Sequence, residues 1–300
     1  MKKTHKSGFV NIIGRPNVGK STLMNALVGE RMSIITHKPQ TTRHRIIGIV
    51  SDEDFQIVFS DTPGFITEPA YKMQEAMNRF VFSTFEDADI MIFVTDTIEQ
   101  YEDDDQVISR LKKINIPLFL VINKIDLLKK PEEVLALIAK WNQRVPFTET
   151  IPISALKKNN TDTLLNLILE RLPEGPVYYP KDQWTDKPER FFVSEIVREK
   201  ILQLYKQEVP YSCEVIVEAF KEAKTNIGEP LVRIRAEIYV ARKTQKSILI
   251  GKQGTAIKKL GMEARKGIEA FLKKKVFLEL FVKVKEDWRN DEKSLKHFGY

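Results

Sequence analysis

The sequence predicts an α/β domain on a mostly parallel sheet with helices on both faces, followed by a smaller α+β domain. Three observations lead there. Over the first 172 residues, short and nearly continuous apolar runs alternate with amphipathic stretches, the pattern of strands buried on both faces. Residues 173–190 then carry four prolines, mixed charge and no periodicity, as a linker does. Beyond residue 191 the pattern changes, and so does the charge: residues 1–180 have a net charge of −1, residues 181–300 of +8. The expected boundaries are therefore 1–172, 173–190 and 191–300.

In the first domain the expected strands are FVNIIG (9–14), QIVFSD (56–61), DIMIFVTD (89–96), PLFLVINK (117–124) and ETIPISA (149–155). Helical patterns cover 71–86, 104–114, 132–145 and 161–171. One more strand, 46–51, is expected to pair antiparallel with 55–60 across the acidic turn SDED. In the second domain the expected order is helix (192–205), strand (213–220), strand (231–240), helix (244–249), the loop GKQG, helix (254–273) and strand (276–284). Val232, Ile234, Ala236, Ile238 and Val240 alternate and should share one sheet face. Ile257, Leu260, Ala264, Ile268 and Phe271 should form a buried stripe on the long helix.

The single cysteine, Cys213, excludes an internal disulfide framework and a CxxC metal site, and suits a reducing compartment. The start MKKTHKSG has no apolar segment behind it, so no signal peptide is expected. No apolar run approaches the roughly 20 residues that span a bilayer. A cytoplasmic protein is expected. Residues 242–285 alone have a net charge of +10, which points to a polyanionic partner for the second domain. The four histidines (His5, His37, His44, His297) show no ligand spacing. EDDD (102–105) reads as a charge cluster at a helix start. Lys273 to Lys275 read equally well as a solvated helix end or as part of a polyanion track.

GRPNVGKST runs from Gly14 through Arg15, Pro16, Asn17, Val18, Gly19, Lys20 and Ser21 to Thr22, between an expected strand and an expected helix. It fits G-x-x-x-x-G-K-S, a phosphate-binding loop. Gly14 and Gly19 let the backbone turn so that its N–H groups face a β-phosphate. Lys20 neutralises β- and γ-phosphate oxygens, Ser21 ligates Mg²⁺, and the helix dipole adds its positive end. DTPG (Asp61, Thr62, Pro63, Gly64) ends a strand; Asp61 can hold Mg²⁺ through water, and the Gly64 N–H can meet a γ-phosphate. NKID ends another strand. There the Asp126 carboxylate matches the two N–H donors on N1 and N2 of guanine, a pairing that adenine does not offer. Asn123 and Lys124 brace that loop and cover the base. In SAL (Ser154, Ala155, Leu156), Ser154 is a support and the Ala155 N–H a donor to guanine O6. Four motifs in order, each at a strand's C-terminal end, specify a guanine nucleotide.

This set resembles translation-factor-class GTPases, and PQTTRHRIIG (39–48) is similar to the first switch of the Era family. The likeness continues through YYPKDQWTD (178–186) and covers nearly the whole chain. The resemblance implies a P-loop GTPase domain that binds GTP and GDP and hydrolyses GTP. It also implies that Thr42 is the switch threonine that ligates Mg²⁺ when a γ-phosphate is present, with Thr41 as the alternative. Phe65 stands where many small GTPases carry a water-orienting glutamine, and a phenylalanine has no polar atom for that task. Stabilisation therefore falls to Lys20, Mg²⁺ and the loop N–H groups, and slow turnover is expected. The resemblance suggests that Asn17 helps hold a K⁺ ion near the phosphates.

GKQG (Gly251, Lys252, Gln253, Gly254) lacks the Lys-Ser pair of a nucleotide loop, so a second NTP site is not expected. The order of elements around it is that of a prokaryotic-type (type II) KH module. In such a module the loop clamps the backbone of about four unpaired nucleotides while an apolar groove holds their bases. Ile248, Ile250 and Ile257 are candidates for the groove wall. Lys258, Lys259, Arg265 and Lys266 can meet phosphates further along. The Era-family resemblance implies binding near the 3′ end of small-subunit (16S) rRNA and a role in maturation of that subunit, by a monomer. It further suggests that γ-phosphate orders the Thr42 and Gly64 segments and that the linker moves the KH groove in response.

Two other readings are weighed. One is a signalling GTPase peripheral to the cell membrane, its basic face on lipid; the apolar residues opposite its lysines are, however, committed to the KH core. The other is an RNA-modifying GTPase, for which Cys213, in a strand without a nearby partner, is a poor nucleophile.

Overall fold

The computed structural model describes residues 4–36, 38–102, 105–130, 132–225 and 227–300. The chain divides into two compact units and passes from one to the other at Asp186–Lys187. Of the expectations above, those on His37, Asp103 and Asp104 lie outside the described residues.

The first unit is a six-stranded sheet built from β1 (Lys6–Ile13), β2 (Ile46–Ser51), β3 (Phe55–Asp61), β4 (Ile90–Asp96), β5 (Leu118–Asn123) and β6 (Glu149–Pro152). Its order is β2-β3-β1-β4-β5-β6; every pairing is parallel except β2 with β3. Five helices cover it: α1 (Lys20–Val28), α2 (Lys72–Ser83), α3 (Gln106–Leu111), α4 (Glu133–Arg144) and α5 (Thr161–Arg171). Both faces are packed, which explains why the strands read as unbroken apolar runs. On one face Val10, Ile12 and Ile92 meet Leu23, Met24, Leu164 and Ile168 of α1 and α5. On the other, Ile13, Met91 and Phe93 meet Val107, Ile108 and Trp141. Because the strands run parallel, the loops after β1, β3 and β5 leave the sheet at one end.

α3 is shorter than the expected 104–114 because Asp105 caps it, its carboxylate accepting from the Val107 N–H at 2.8 Å. The expected strand 149–155 ends at Pro152, ahead of the Ser154 turn.

The second unit places α6 (Glu189–Leu204), α7 (Lys243–Ile250) and α8 (Thr255–Leu272) on a three-stranded sheet of β7 (Cys213–Lys224), β8 (Pro230–Val240) and β9 (Lys275–Val284). β7 pairs antiparallel with β8, and β8 parallel with β9. The element order is the expected one, and the five alternating β8 residues are all buried. β7 runs to Lys224 rather than 220, since a bulge between Val217 and Ala219 shifts its phase and hides the alternation. On α8, Leu260, Ala264 and Ile268 are buried, but Phe271 lies at the surface against Phe192. A C-terminal helix, α9 (Glu292–His297), was not foreseen. It is anchored by Trp288, whose indole N–H donates to the Ser212 carbonyl at 3.0 Å, and by Phe298. No helix among the described residues is long and apolar enough to cross a membrane.

The expected linker does not hang free over its whole length. Residues 173–184 strap the first unit. The Ser7 N–H donates to the Pro173 carbonyl, and the Ile49 N–H donates to the Trp184 carbonyl at 2.8 Å. The buried Gln56 side chain holds the middle: its oxygen accepts from the Tyr178 and Tyr179 N–H groups, and its amide donates to the Tyr179 carbonyl. Gln56→Ala removes these three bonds and a fourth to the Ser51 hydroxyl, and leaves two backbone donors without their acceptor. It should destabilise the first unit by about 1–3 kcal/mol, read by urea denaturation.

Candidate nucleotide site and RNA-binding loop

Between β1 and α1 the chain makes a tight loop at the switch end of the sheet. Gly19 has φ 97°, and a Cβ there would sit 2.2 Å from the Asn123 side-chain nitrogen, so only glycine fits. Asn17 is also left-handed, with φ 66°. The loop, Lys20, Ser21, Thr22, Gly64, Thr42 and the β5 loop surround a cavity of about 380 Å³. The Lys20 ammonium is buried there and donates to the Gly14 and Arg15 carbonyls at 3.1 and 2.8 Å. Burial lowers its pKa to about 8, against the pull of Asp61. A phosphate chain beside it would raise that pKa again and hold the cationic form.

The three expected metal ligands converge although they are separated in sequence. The Ser21 hydroxyl donates to Asp61 Oδ2 at 2.7 Å, and the Thr42 hydroxyl lies 2.8 Å from that of Ser21 and 3.3 Å from Asp61 Oδ2. Asp61 Oδ1 is buried without a hydrogen-bond partner, and burial raises the carboxyl's pKa. A buried carboxylate oxygen left over beside two hydroxyls is a donor set that suits a hard divalent cation such as Mg²⁺. Thr41 is placed differently: its hydroxyl donates to the Lys38 carbonyl at 2.6 Å. The Phe65 ring is turned into the core against Phe82, 5.5 Å between centroids, and offers nothing to a water in the cavity.

At the base-binding end Asn123 braces two loops. Its amide donates to the Val18 carbonyl at 2.9 Å, and its oxygen accepts the Ala155 N–H at 3.0 Å. Ser154 supports Asp126 as expected, hydroxyl to carboxylate at 2.6 Å. Lys124 donates to Asp96 at 2.6 Å. Two residues of these motifs have further partners. The Ala155 N–H, expected to face guanine O6, meets the Asn123 side-chain oxygen, a bond that ties the two loops together. Arg15 points away from the cavity, its guanidinium on Asp105 at 2.9 Å and over the Tyr101 ring at 4.2 Å. Val18, Thr62 and Pro63 are buried beneath the site; Thr62 donates to the Ile12 carbonyl at 2.8 Å. Leu156 lines the cavity, as do Ile34, Ile35, Thr36, Gln40 and Leu127, which sequence reasoning missed. Leu127 directly follows the NKID motif, and that adjacency was the available signal.

In the second unit α7 ends at Gly251, with φ 72° and ψ 174°, and α8 begins at Thr255. A Cβ on Gly251 would lie 2.6 Å from that of Ala256, so the glycine lets the two helices close on the loop. Lys252, Gln253, Lys258, Lys259, Arg265 and Lys266 are exposed. Ile248 is half-exposed, and Ile250 and Ile257 are partly buried, as residues lining a shallow groove would be. Arg265 and Lys266 lie near Glu269 and Glu263. Of the lysine run, Lys274 and Lys275 pair with Glu222 and Glu229. Cys213 is buried, its thiol on the Val209 carbonyl.

A family described as "50S ribosome-binding GTPase" matches residues 9–124, and the KH domain family matches residues 208–289. The GTPase Era of Syntrophus aciditrophicus (strain SB) is 47% identical over 296 residues, 98% of this chain and 95% of that protein. The chain belongs to the Era family of GTPases. Its fold follows that of a crystal structure of Era in complex with MgGDPNP and nucleotides 1506–1542 of 16S ribosomal RNA: TM-score 0.93, 40% identity, 99% of both chains covered. A variant of Aquifex aeolicus Era bound to GDP and AlF₄⁻ matches with a TM-score of 0.92 and 40% identity, over 98% of this chain and 99% of that one. The P-loop domain and the KH domain of this Era-family chain thus both have the expected fold.

Asp126→Asn replaces two acceptors by one acceptor and one donor, which suits the N1–H and C2 oxygen of xanthine. GTP affinity should fall at least ~100-fold and xanthosine triphosphate binding should appear. Competition against a fluorescent GDP reads both, and unchanged GTP affinity would refute the role given to Asp126.

Proposed function

We propose that this protein is a GTP-binding and GTP-hydrolysing switch that binds 16S rRNA near its 3′ end through its KH unit and assists maturation of the small ribosomal subunit. The observation that carries the reading is similarity along the full chain to an Era crystallised with MgGDPNP and that RNA segment. In this reading Lys20 and the loop N–H groups hold the β- and γ-phosphates. Ser21, Thr42 and Asp61 hold Mg²⁺, which supplies positive charge to the phosphate oxygens. Water attacks the γ-phosphate in line, and Lys20 and the Gly64 N–H stabilise the charge that develops. Phe65 cannot orient the water, so intrinsic turnover is slow. Asn17, exposed on the cavity wall, would help hold a K⁺ ion that adds charge near the phosphates.

At GKQG, Gly251 and Gly254 admit the sugar–phosphate backbone, Lys252 supplies a cation, and Ile248, Ile250 and Ile257 face the bases. Leu260, Ala264 and Ile268 of the α8 stripe are consumed by the core, which favours RNA over lipid for its basic face. A cytoplasmic monomer goes with this reading. The nucleotide state would reach the strap through β2, which begins four residues after Thr42 and is bonded to Trp184 through Ile49.

Fluorescence anisotropy with a single-stranded oligonucleotide of the 16S rRNA 3′ end, at fixed salt, tests the reading. Binding should be tight and differ between GDP and a GTP analogue. Lys252→Asp with Gln253→Asp should weaken it at least ~10-fold while GTP turnover stays unchanged. Equal affinity in both nucleotide states removes the gating, and no binding in either state removes the RNA role. Turnover should also be faster in K⁺ than in Na⁺ and lose that preference in Asn17→Ala; equal rates in the two salts discard the K⁺ ion.

A further inference from the structure

The three-stranded sheet of the second unit has two faces, and the core uses one. Val232, Ile234, Ala236, Ile238 and Val240 of β8 turn toward the helices, together with Val276 and Val282 of β9. The residues between them turn the other way. A sheet with one solvated face is expected to carry polar side chains there. β9 instead presents Phe277 and Phe281, 51% and 40% exposed. Each ring has a guanidinium over it: Arg233 lies 5.8 Å from the centre of Phe277, and Arg235 4.5 Å from that of Phe281.

The charge on this face is only partly cancelled locally, because Arg235 and Lys283 share Glu237 and Glu279 of β9 stands opposite Arg235. Of the two acidic residues in β8 and β9, Glu237 is buried, held by Lys283 at 2.6 Å, by the Tyr239 hydroxyl at 2.7 Å and by Arg235 at 3.6 Å. Glu279 is the other, and it is exposed. The C-terminal segment covers one end of the face, where Phe298 packs on Tyr239 at 5.1 Å. The Arg233–Phe277 pair lies toward the Pro230 end of β8 and the Arg235–Phe281 pair near its middle, and both rings remain half-exposed. Two half-exposed phenylalanines give folding only part of the gain of buried ones, whereas a ligand with flat rings and negative charge would gain from both partners of each pair. An acidic protein surface would answer the arginines but not the rings. Unpaired nucleic acid answers both, base on ring and phosphate on guanidinium. The half of the chain that carries this face, residues 181–300, has a net charge of +8.

We propose that the open face of the KH sheet is a second RNA-binding surface. Phe277 and Phe281 stack unpaired bases, and Arg233 and Arg235 contact phosphates of RNA that continues beyond the segment gripped at GKQG. The proposal rests on the RNA-binding reading above, but its residues are distinct, since α7, α8 and the loop between them lie on the covered side of the sheet.

The test uses the full chain and two single-stranded RNAs from the 16S 3′ end: a short one of about four to six nucleotides, enough for a KH loop, and one of about twenty. Two double variants, Arg233→Ala with Arg235→Ala and Phe277→Ser with Phe281→Ser, change only exposed side chains. Each should bind the short RNA within about twofold of the parent and the long RNA at least ~10-fold more weakly. The arginine pair should also flatten the plot of log affinity against log salt for the long RNA by about 1.4, from two lost phosphate contacts. Unchanged affinity and slope for the long RNA overturn the proposal, and so does an equal loss on both RNAs. Unchanged RNA binding with lost binding to isolated small-subunit proteins also overturns it and assigns the face to protein. The Lys252→Asp, Gln253→Asp variant separates the two ideas: if it keeps both RNAs tight, the GKQG reading fails on its own account.

Discussion

The side-chain amide of Asn123 is the joint on which the nucleotide site depends. It donates to the Val18 carbonyl in the phosphate loop and accepts the Ala155 N–H in the loop after β6. One buried side chain thus spans the phosphate end and the base end of the cavity. Gly19 has no side chain because that amide passes where its Cβ would be. Both bonds are buried, so neither partner can fall back on water, and breaking either would leave a buried polar group unpaired. Asp126 and Lys124 can then be aimed by shorter-range contacts, to Ser154 and Asp96, because the loops that carry them are already positioned.

Beneath that joint the parallel sheet does the coarse positioning. With β1, β3 and β5 running the same way, the phosphate loop, DTPG and NKID emerge at one end without any added device. The convergence of Ser21, Thr42 and Asp61 is more demanding, since Thr42 arrives from a segment with no regular structure. What brings it in is the hydroxyl–carboxylate cluster itself, with Asp61 Oδ1 still lacking a protein partner. The second unit solves a simpler problem. Its helices close on the GKQG loop because Gly251 lets the start of α8 approach, and its charge is left on the surface rather than used in the core.

What could be read from the chain followed from locality. The P-loop, DTPG, NKID and SAL each combine a strand end with a loop of fixed chemistry, so order and spacing carried the chemistry. The αββααβ order of the second unit survived because its strands and helices have clear periods. What needed the structure has the opposite character. Arg15 sits inside the phosphate-loop motif, yet Asp105 and Tyr101, far along the chain, decide where its guanidinium goes. Ala155 has the right position for a base, but its N–H is taken by a residue 32 positions earlier. Phe271 keeps helical phase with Leu260 and Ile268 yet falls off the end of the packed sheet. The strap of residues 173–184 has no period at all, and its order comes from Gln56 and from the free edge of β2.

The sequence by itself determined the two folds, the base that the first domain is built for and the kind of polymer that the second attracts. These depend on backbone geometry and donor patterns written within a few residues of one another. Only the tertiary structure showed that Thr42 rather than Thr41 lies beside Ser21 and Asp61, where Arg15 points, that the linker is a strap, and that two phenylalanines of β9 lie open under arginines. Each of these is settled by a contact between segments tens of residues apart, or by which face of a sheet the helices leave bare, and no local pattern encodes either.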